Sequence, residues 1–132
     1  MLIIVTVSIL STSCVDKCFG SRDTTVFKNN TVANVRVKYF ISQQTDSFDI
    51  STNFSLNSTD NQKLSVFLYQ QADSVLIRYD NIKQKVFFKH NCVGSRNVLC
   101  VDEYTQTKKD KCSNYYTYTF TDADYAAADS IK

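Results

Sequence analysis

The sequence predicts a small all-β protein, seven or eight short strands in a sandwich or a small barrel behind an N-terminal signal peptide. Three observations carry that reading. Apolar residues recur with period two along most of the chain, no stretch keeps a helical period, and Asn, Asp and Ser break the pattern at short intervals. With 132 residues there is room for one domain and one core. Nine Phe and eight Tyr supply ample apolar volume although Trp is absent. The chain has no Pro, and Gly20 and Gly94 are its only glycines, so its turns fall to Asn, Asp and Ser.

In chain order the first strand candidate is Thr24–Lys28. In the second, Val35, Val37, Tyr39 and Ile41 alternate with Arg36, Lys38 and Ser42, as a half-buried strand requires. Phe48, Ile50, Phe54 and Leu56 alternate with Asp49, Ser51, Asn53, Ser55 and Asn57, which reads as one strand over Phe48–Leu56. Further candidates are Leu64–Tyr69, Val75–Tyr79, Val86–Lys89, Val98–Val101 and Tyr115–Thr121, with Asp80-Asn81 as a hairpin turn. Thr107–Lys111 reads as an exposed loop. The tail from Asp122 onward is either frayed or a short terminal helix. There is no internal repeat and no linker.

The apolar run Leu2–Leu10, followed by Ser11-Thr12-Ser13, matches the core and cleavage region of a secretory signal peptide. It is shorter than the about 20 residues of a membrane span, and no second apolar run provides an anchor. Cleavage after Cys14 divides the chain into a signal peptide, 1–14, and one disulfide-bonded domain, 15–132. The cut leaves Cys18, Cys92, Cys100 and Cys112, an even number suited to two disulfides in an oxidising compartment. The pairing expected is Cys18 with Cys100 and Cys92 with Cys112; the local alternative joins Cys92 to Cys100 and leaves Cys18 to Cys112. Asn29, Asn53 and Asn57 each begin an Asn-x-Ser/Thr acceptor for N-linked glycans. On a single Phe48–Leu56 strand, Asn53 and Asn57 would share the polar face that a glycan needs.

Little in the chain points to catalysis. His90 is the only histidine and stands two residues before Cys92. A Cys/His pair needs a free thiol within reach of its base, and a cysteine in a disulfide has none. The cysteine spacings are too wide for a zinc knuckle, and no phosphate loop, calcium loop or carboxylate pair is present. We therefore expect no enzyme activity, no metal and no cofactor. A net charge of +2 gives no case for nucleic acid. Lys83, Lys85 and Lys89 read as a solvated strand face or edge protection, and Lys108, Lys109 and Lys111 as part of the exposed loop. The aromatic strand Tyr115–Thr121 either completes a sheet or offers an edge to a partner.

Several segments together resemble a known family. They are Met1-Leu2-Ile3-Ile4 through Thr12-Ser13-Cys14, the early Cys18, the run Asn91 to Glu103 containing Leu99-Cys100-Val101-Asp102-Glu103, and the final aromatic strand. In size and layout the chain is similar to the short immunoglobulin-like accessory proteins of coronaviruses. Its Val-, Asn-, Tyr- and Phe-rich, Pro-poor composition suits an AU-rich viral genome. The resemblance implies a seven-stranded immunoglobulin-like sandwich without enzyme activity, secreted or held in the host endoplasmic reticulum lumen. It implies binding to host proteins of the secretory pathway, cell surface or innate immune signalling, interferon antagonism included. Self-association into a homo-oligomer stays open. The alternative expectation is a small secreted β-barrel binding an apolar ligand, which must leave a cavity of about 300 Å³ or more.

Overall fold

The computed structural model describes residues 23–52, 55–57, 68–90, 92 and 96–132. Its elements are β1 (Thr24–Asn30), β2 (Val35–Ile41), β3 (Gln44–Ile50), β4 (Ser55–Asn57), α1 (Leu68–Gln71), β5 (Ser74–Tyr79) and β6 (Lys83–Phe88). A 3-10 turn (Val101–Glu103), β7 (Thr105–Asp110), β8 (Ser113–Thr121), α2 (Asp122–Ala126) and β9 (Asp129–Ser130) follow. The strands form two sheets of a sandwich, in the orders β4-β1-β8-β7 and β3-β2-β5-β6-β9. Nine strands are thus present among the described residues, two of them three residues or shorter. No helix among these residues is long and apolar enough to cross a membrane.

Period two does what the sequence leads one to expect. Val35, Val37 and Tyr39 of β2 and Val75, Ile77 and Tyr79 of β5 are buried, and their odd positions face the other sheet. From the first sheet Phe27, Tyr118 and Phe120 meet them. The core is largely aromatic: Phe27 packs on Phe48 at 5.1 Å, Tyr104 on Tyr118 at 5.4 Å and Tyr118 on Phe120 at 4.9 Å. Tilted and edge-on rings of this kind add roughly 0.5–1.5 kcal/mol per pair beyond their buried area. β1 and β8 pair in parallel, from Thr24 beside Tyr115 to Asn30 beside Thr121. A parallel pair needs a long connection, and here that connection includes the whole second sheet except β9, so the first and last long strands lock it in place.

The turns among the described residues are made without glycine. Asp80 and Asn81 both take positive φ, 47° and 57°, which Asn and Asp tolerate best among residues with a Cβ. Asp80 Oδ1 then accepts the Asn34 N–H at 2.9 Å, fastening the hairpin to the start of β2. Ser42, at φ 53°, turns β2 into β3 and donates its N–H to Asp73 Oδ2 at 2.8 Å. The tail is a helix: Thr121 and Asp124 form a capping box, and β9 then pairs with the first two residues of β6.

Several expectations are corrected. Ile50 ends β3 beside β2, and Ser55 begins β4 beside β1 in the other sheet. The single Phe48–Leu56 strand, on which Asn53 and Asn57 would share a face, is therefore not formed. Leu68 and Tyr69 begin a helical turn instead of ending a strand. In place of the expected strand Val98–Val101, Val98–Cys100 is a buried turn leading into the 3-10 turn, whose first residue, Val101, is exposed; Asn97 Oδ1 fixes it by accepting the Leu99 N–H at 2.9 Å. Thr105–Asp110 is a fully exposed edge strand, where a loop was expected around the lysines. Cys92 is bonded to Cys100, with Cα atoms 5.6 Å apart, which is the local alternative and excludes Cys18–Cys100 and Cys92–Cys112. Cys112 is also disulfide-bonded, to a partner outside the described residues. The segment expected to be a signal peptide, 1–14, with Cys14, Cys18, Asn53 and residues 64–67, lies outside those residues too.

Asn29 is corrected for a different reason. Its side chain is fully buried, and Nδ2 donates to the Ala33 and Ile50 carbonyls at 2.8 and 3.0 Å. The nitrogen that would carry a glycan is thus a core hydrogen-bond donor, and the fold closes this acceptor.

Candidate functional site

The outward side of the second sheet is where the alternation fails. Strand register places three rows across it: Asp49–Arg36–Arg78–Gln84, then Ser47–Lys38–Leu76–Val86, then Thr45–Phe40–Ser74–Phe88. The face is charged at one end and apolar at the other. Sandwich faces exposed to water normally carry polar residues at outward positions, yet Val86 and Phe88 stand outward and are each 47% exposed. Ile82, at the hairpin, is 57% exposed. The sequence signal is the run Val86-Phe87-Phe88, in which Phe87 packs on the core and its neighbours face away. His90 stacks on Phe88 at 6.0 Å and 21°, extending the apolar end as a ring.

At the charged end Arg36 and Arg78 lie directly opposite each other on neighbouring strands. Like charges so placed repel. Asp49 relieves this on one side, accepting from Arg36 Nε at 2.7 Å and Nη2 at 2.9 Å. The hydrogen bond from Arg36 holds the Asp49 carboxyl below its usual value. Both partners are more than half exposed, so the pair orders the surface more than it stabilises the fold.

The lysines expected on a solvated face behave otherwise. Lys83 shares the inward side of β6 with Phe87. Its Nζ donates to the Tyr125 carbonyl at 3.2 Å and lies 4.7 Å over the Tyr125 ring, capping the end of α2. Lys89 Nζ likewise donates to the Gln70 carbonyl at the end of α1. Lys109 donates to Thr24 Oγ1 and stacks over Tyr115. Lys108 and Lys109 with the irregularity before Asp110 blunt the β7 edge against strand pairing. Cys92 holds no free thiol for His90, because it is joined to Cys100.

Arg96 braces the end of the sandwich beside this face, and sequence reasoning missed it. Its guanidinium bonds Asp124 through Nε at 3.1 Å and Nη2 at 2.9 Å, donates to the Thr119 carbonyl, and lies 4.9 Å over the Tyr118 ring. The Tyr118 hydroxyl donates back to the Arg96 carbonyl at 2.9 Å. Burial pushes the Asp124 carboxyl up, but Arg96 and the Thr121 N–H outweigh it and hold the group below its usual value. A depressed carboxylate stabilises the fold above its unfolded titration, and that stabilisation is lost as pH falls through the folded value. Arg96→Met should lower stability by about 1.5–3 kcal/mol, discounted for the half-exposed guanidinium. The loss should shrink on acidification below the ordinary carboxylate range, as denaturant melts at several pH values would read. An unchanged loss in acid would remove the Asp124 pairing from the account.

Comparison with protein families, characterised proteins and solved structures finds no match to this chain.

Proposed function

We propose that this chain is a secreted or endoplasmic-reticulum lumenal viral accessory glycoprotein of the immunoglobulin-like coronavirus type, which binds host proteins and modulates innate immunity. The observation that carries the binding reading is the outward apolar end of β5 and β6, where Leu76, Val86 and Phe88 meet water beside Arg36, Lys38 and Arg78. Exposed apolar side chains rimmed by charge mark partner surfaces. The Cys92–Cys100 disulfide fits an oxidising compartment. Asn53 and Asn57 remain the acceptors for a glycan. The family assignment rests on the sequence resemblance, and with it the interferon antagonism.

The alternative is a small secreted β-barrel that binds an apolar ligand in an open interior. The sandwich reading is favoured by Phe27, Tyr79, Tyr118, Phe120, Ile50 and Leu68, which are each at most 2% exposed and pack between the sheets.

The test is affinity purification from secretory-pathway lysate with the parent chain and the Leu76→Glu/Phe88→Glu double variant. Host proteins captured by the parent should fall at least about tenfold with the double variant, at equal melting temperature. Lys28→Glu, on the exposed side of the other sheet, should retain them. Capture by the double variant equal to the parent would overturn the reading.

A further inference from the structure

The edge of β6 is covered only in part. β9 pairs with Lys83 and Gln84 and stops. The Ile131 N–H donates to the Ile82 carbonyl at 2.8 Å, and Asn97 Nδ2 donates to the Phe88 carbonyl at 2.8 Å. Those two bonds show that the even-numbered residues of β6 turn their main-chain groups away from β5. Val86 lies between them, and its N–H and carbonyl meet no strand among the described residues. Among the described residues the uncovered stretch is three residues, Lys85 to Phe87, roughly 10 Å at the rise of a strand.

Beside this stretch, on the inward side, lies a cleft of about 250 Å³. Tyr79, Phe87, Tyr118, Ala123 and Ala127 give it a mainly apolar lining, and Lys85 stands at it too. Lys85 has no ion pair among the described residues, whereas Asp124 of the same cleft is committed to Arg96 and Thr121.

We propose that the Val86 edge is a docking site for a short extended segment of a partner protein, which joins β6 as an added strand and sets an apolar side chain into the cleft. This deepens the reading of the chain as a binding module and rests on it. Strand addition draws affinity from main-chain hydrogen bonds and specificity from pockets for alternate side chains. A residue opposite Val86 projects outward beside Val86 and Phe88, and its neighbours project inward. The matching segment therefore has a β-branched residue at the outward position. Inward, it has an apolar residue on one side and an acidic residue facing Lys85 on the other.

A second copy of the chain does not offer such a segment from its described edges. The β3 edge has an acidic residue in Asp46, but Ser47 stands where a β-branched residue is needed, and its one ring, Phe48, is already packed on Phe27. The β7 edge reads Thr-Gln-Thr-Lys-Lys-Asp, without an apolar side chain. Two copies of β6 paired edge to edge at Val86 would set Phe87 opposite Lys85, with no acidic residue for either lysine, and β4 is only three residues long. The occupant is therefore a different protein.

The test titrates isotope-labelled protein with a capped peptide, Thr-Glu-Val-Ile-Thr, following backbone amides. The Val86 and Phe88 amides should exchange with solvent in the free protein, then shift and become protected with peptide. Replacing the central valine of the peptide by proline, which has no N–H to donate, should weaken binding at least about tenfold. So should Ala123→Trp, which fills the cleft from an exposed helix position. Lys85→Glu should weaken this peptide and favour the one with lysine in place of glutamate. The proposal is overturned by shifts confined to the outward face around Phe40 and Leu76, or by no binding at millimolar peptide. Equal binding by Ala123→Trp overturns it too. Val86 and Phe88 amides already protected in the free chain would mean that the chain covers its own edge. Concentration-dependent protection without peptide would mean that a second copy does. Either result also overturns it. Any of these outcomes leaves the double-variant capture experiment standing, so the two readings fail separately.

Discussion

Asn29→Gln should cost about 3–5 kcal/mol of stability, although the substitution is the usual probe of a glycan acceptor. The amide is fully buried where the chain leaves β1 for β2. Its Nδ2 ties the Ala33 and Ile50 carbonyls together, and its Oδ1 accepts the Thr31 N–H at 2.9 Å and stands 2.8 Å from the Thr31 hydroxyl. One side chain thus satisfies groups on the connection between the sheets and at the end of β3. Glutamine keeps the chemistry but adds a methylene in a site with no space for it, so that donors and acceptors lose register. Alanine fits the space and leaves the same groups unpaired, with a loss of similar size. Each buried polar group left without a partner costs about 1–3 kcal/mol. Denaturant midpoints of the two variants against the parent give the measurement. A variant that melts like the parent would show that Asn29 is a surface residue, contrary to the burial described.

The second large effect is alkaline unfolding. Burial pushes the Tyr79, Tyr104 and Tyr118 hydroxyls well above their usual value of 10.0. Tyr104 donates to the Val98 carbonyl and Tyr118 to the Arg96 carbonyl, bonds that only the neutral phenols can make. In the unfolded chain these groups ionise near pH 10, while in the fold they keep their protons. Unfolding therefore releases protons above that pH, and stability is fully present below it and lost as pH rises. Three groups together give a slope of about 4 kcal/mol per pH unit. A domain of this size has roughly 5–15 kcal/mol in total, so it should unfold within a few units above the ordinary tyrosine value. Tyrosinate absorbance and backbone circular dichroism should change together in one steep step. A gradual titration of all eight tyrosines with the β-signal intact would contradict the aromatic core.

How much of this was legible in the sequence depended on whether burial had a period to write. β2 and β5 were legible because each is covered on one face only, which forces alternation. Asp80-Asn81 was legible because a chain this short of glycine has few residues that accept positive φ. The β3–β4 break was not, since apolar residues hold even positions on both sides of Ser51-Thr52, and a change of sheet leaves the period intact. β7 carried no signal because it projects as an edge with both faces in water. Val98, Leu99 and Cys100 looked like a strand because they are buried, but turn geometry and the disulfide bury them. Of the candidate site, Val86-Phe87-Phe88 stood out as three adjacent apolar residues, where a one-sided strand alternates. Arg96 gave no signal. Its partners, Thr119, Asp124 and the Tyr118 ring, lie more than 20 residues away, and only the fold brings them together.

The central claim is that the outward side of β5 and β6 is the surface this chain presents to a partner. Hydrogen exchange of the complex with a captured host protein, against the free chain, tests it most directly. The account predicts slowed exchange at β6 and the adjoining residues of β5, with the β7 amides exchanging as fast as before. Protection at β7 or along β1 and β8, with β6 unchanged, would place the partner on the other sheet and contradict it.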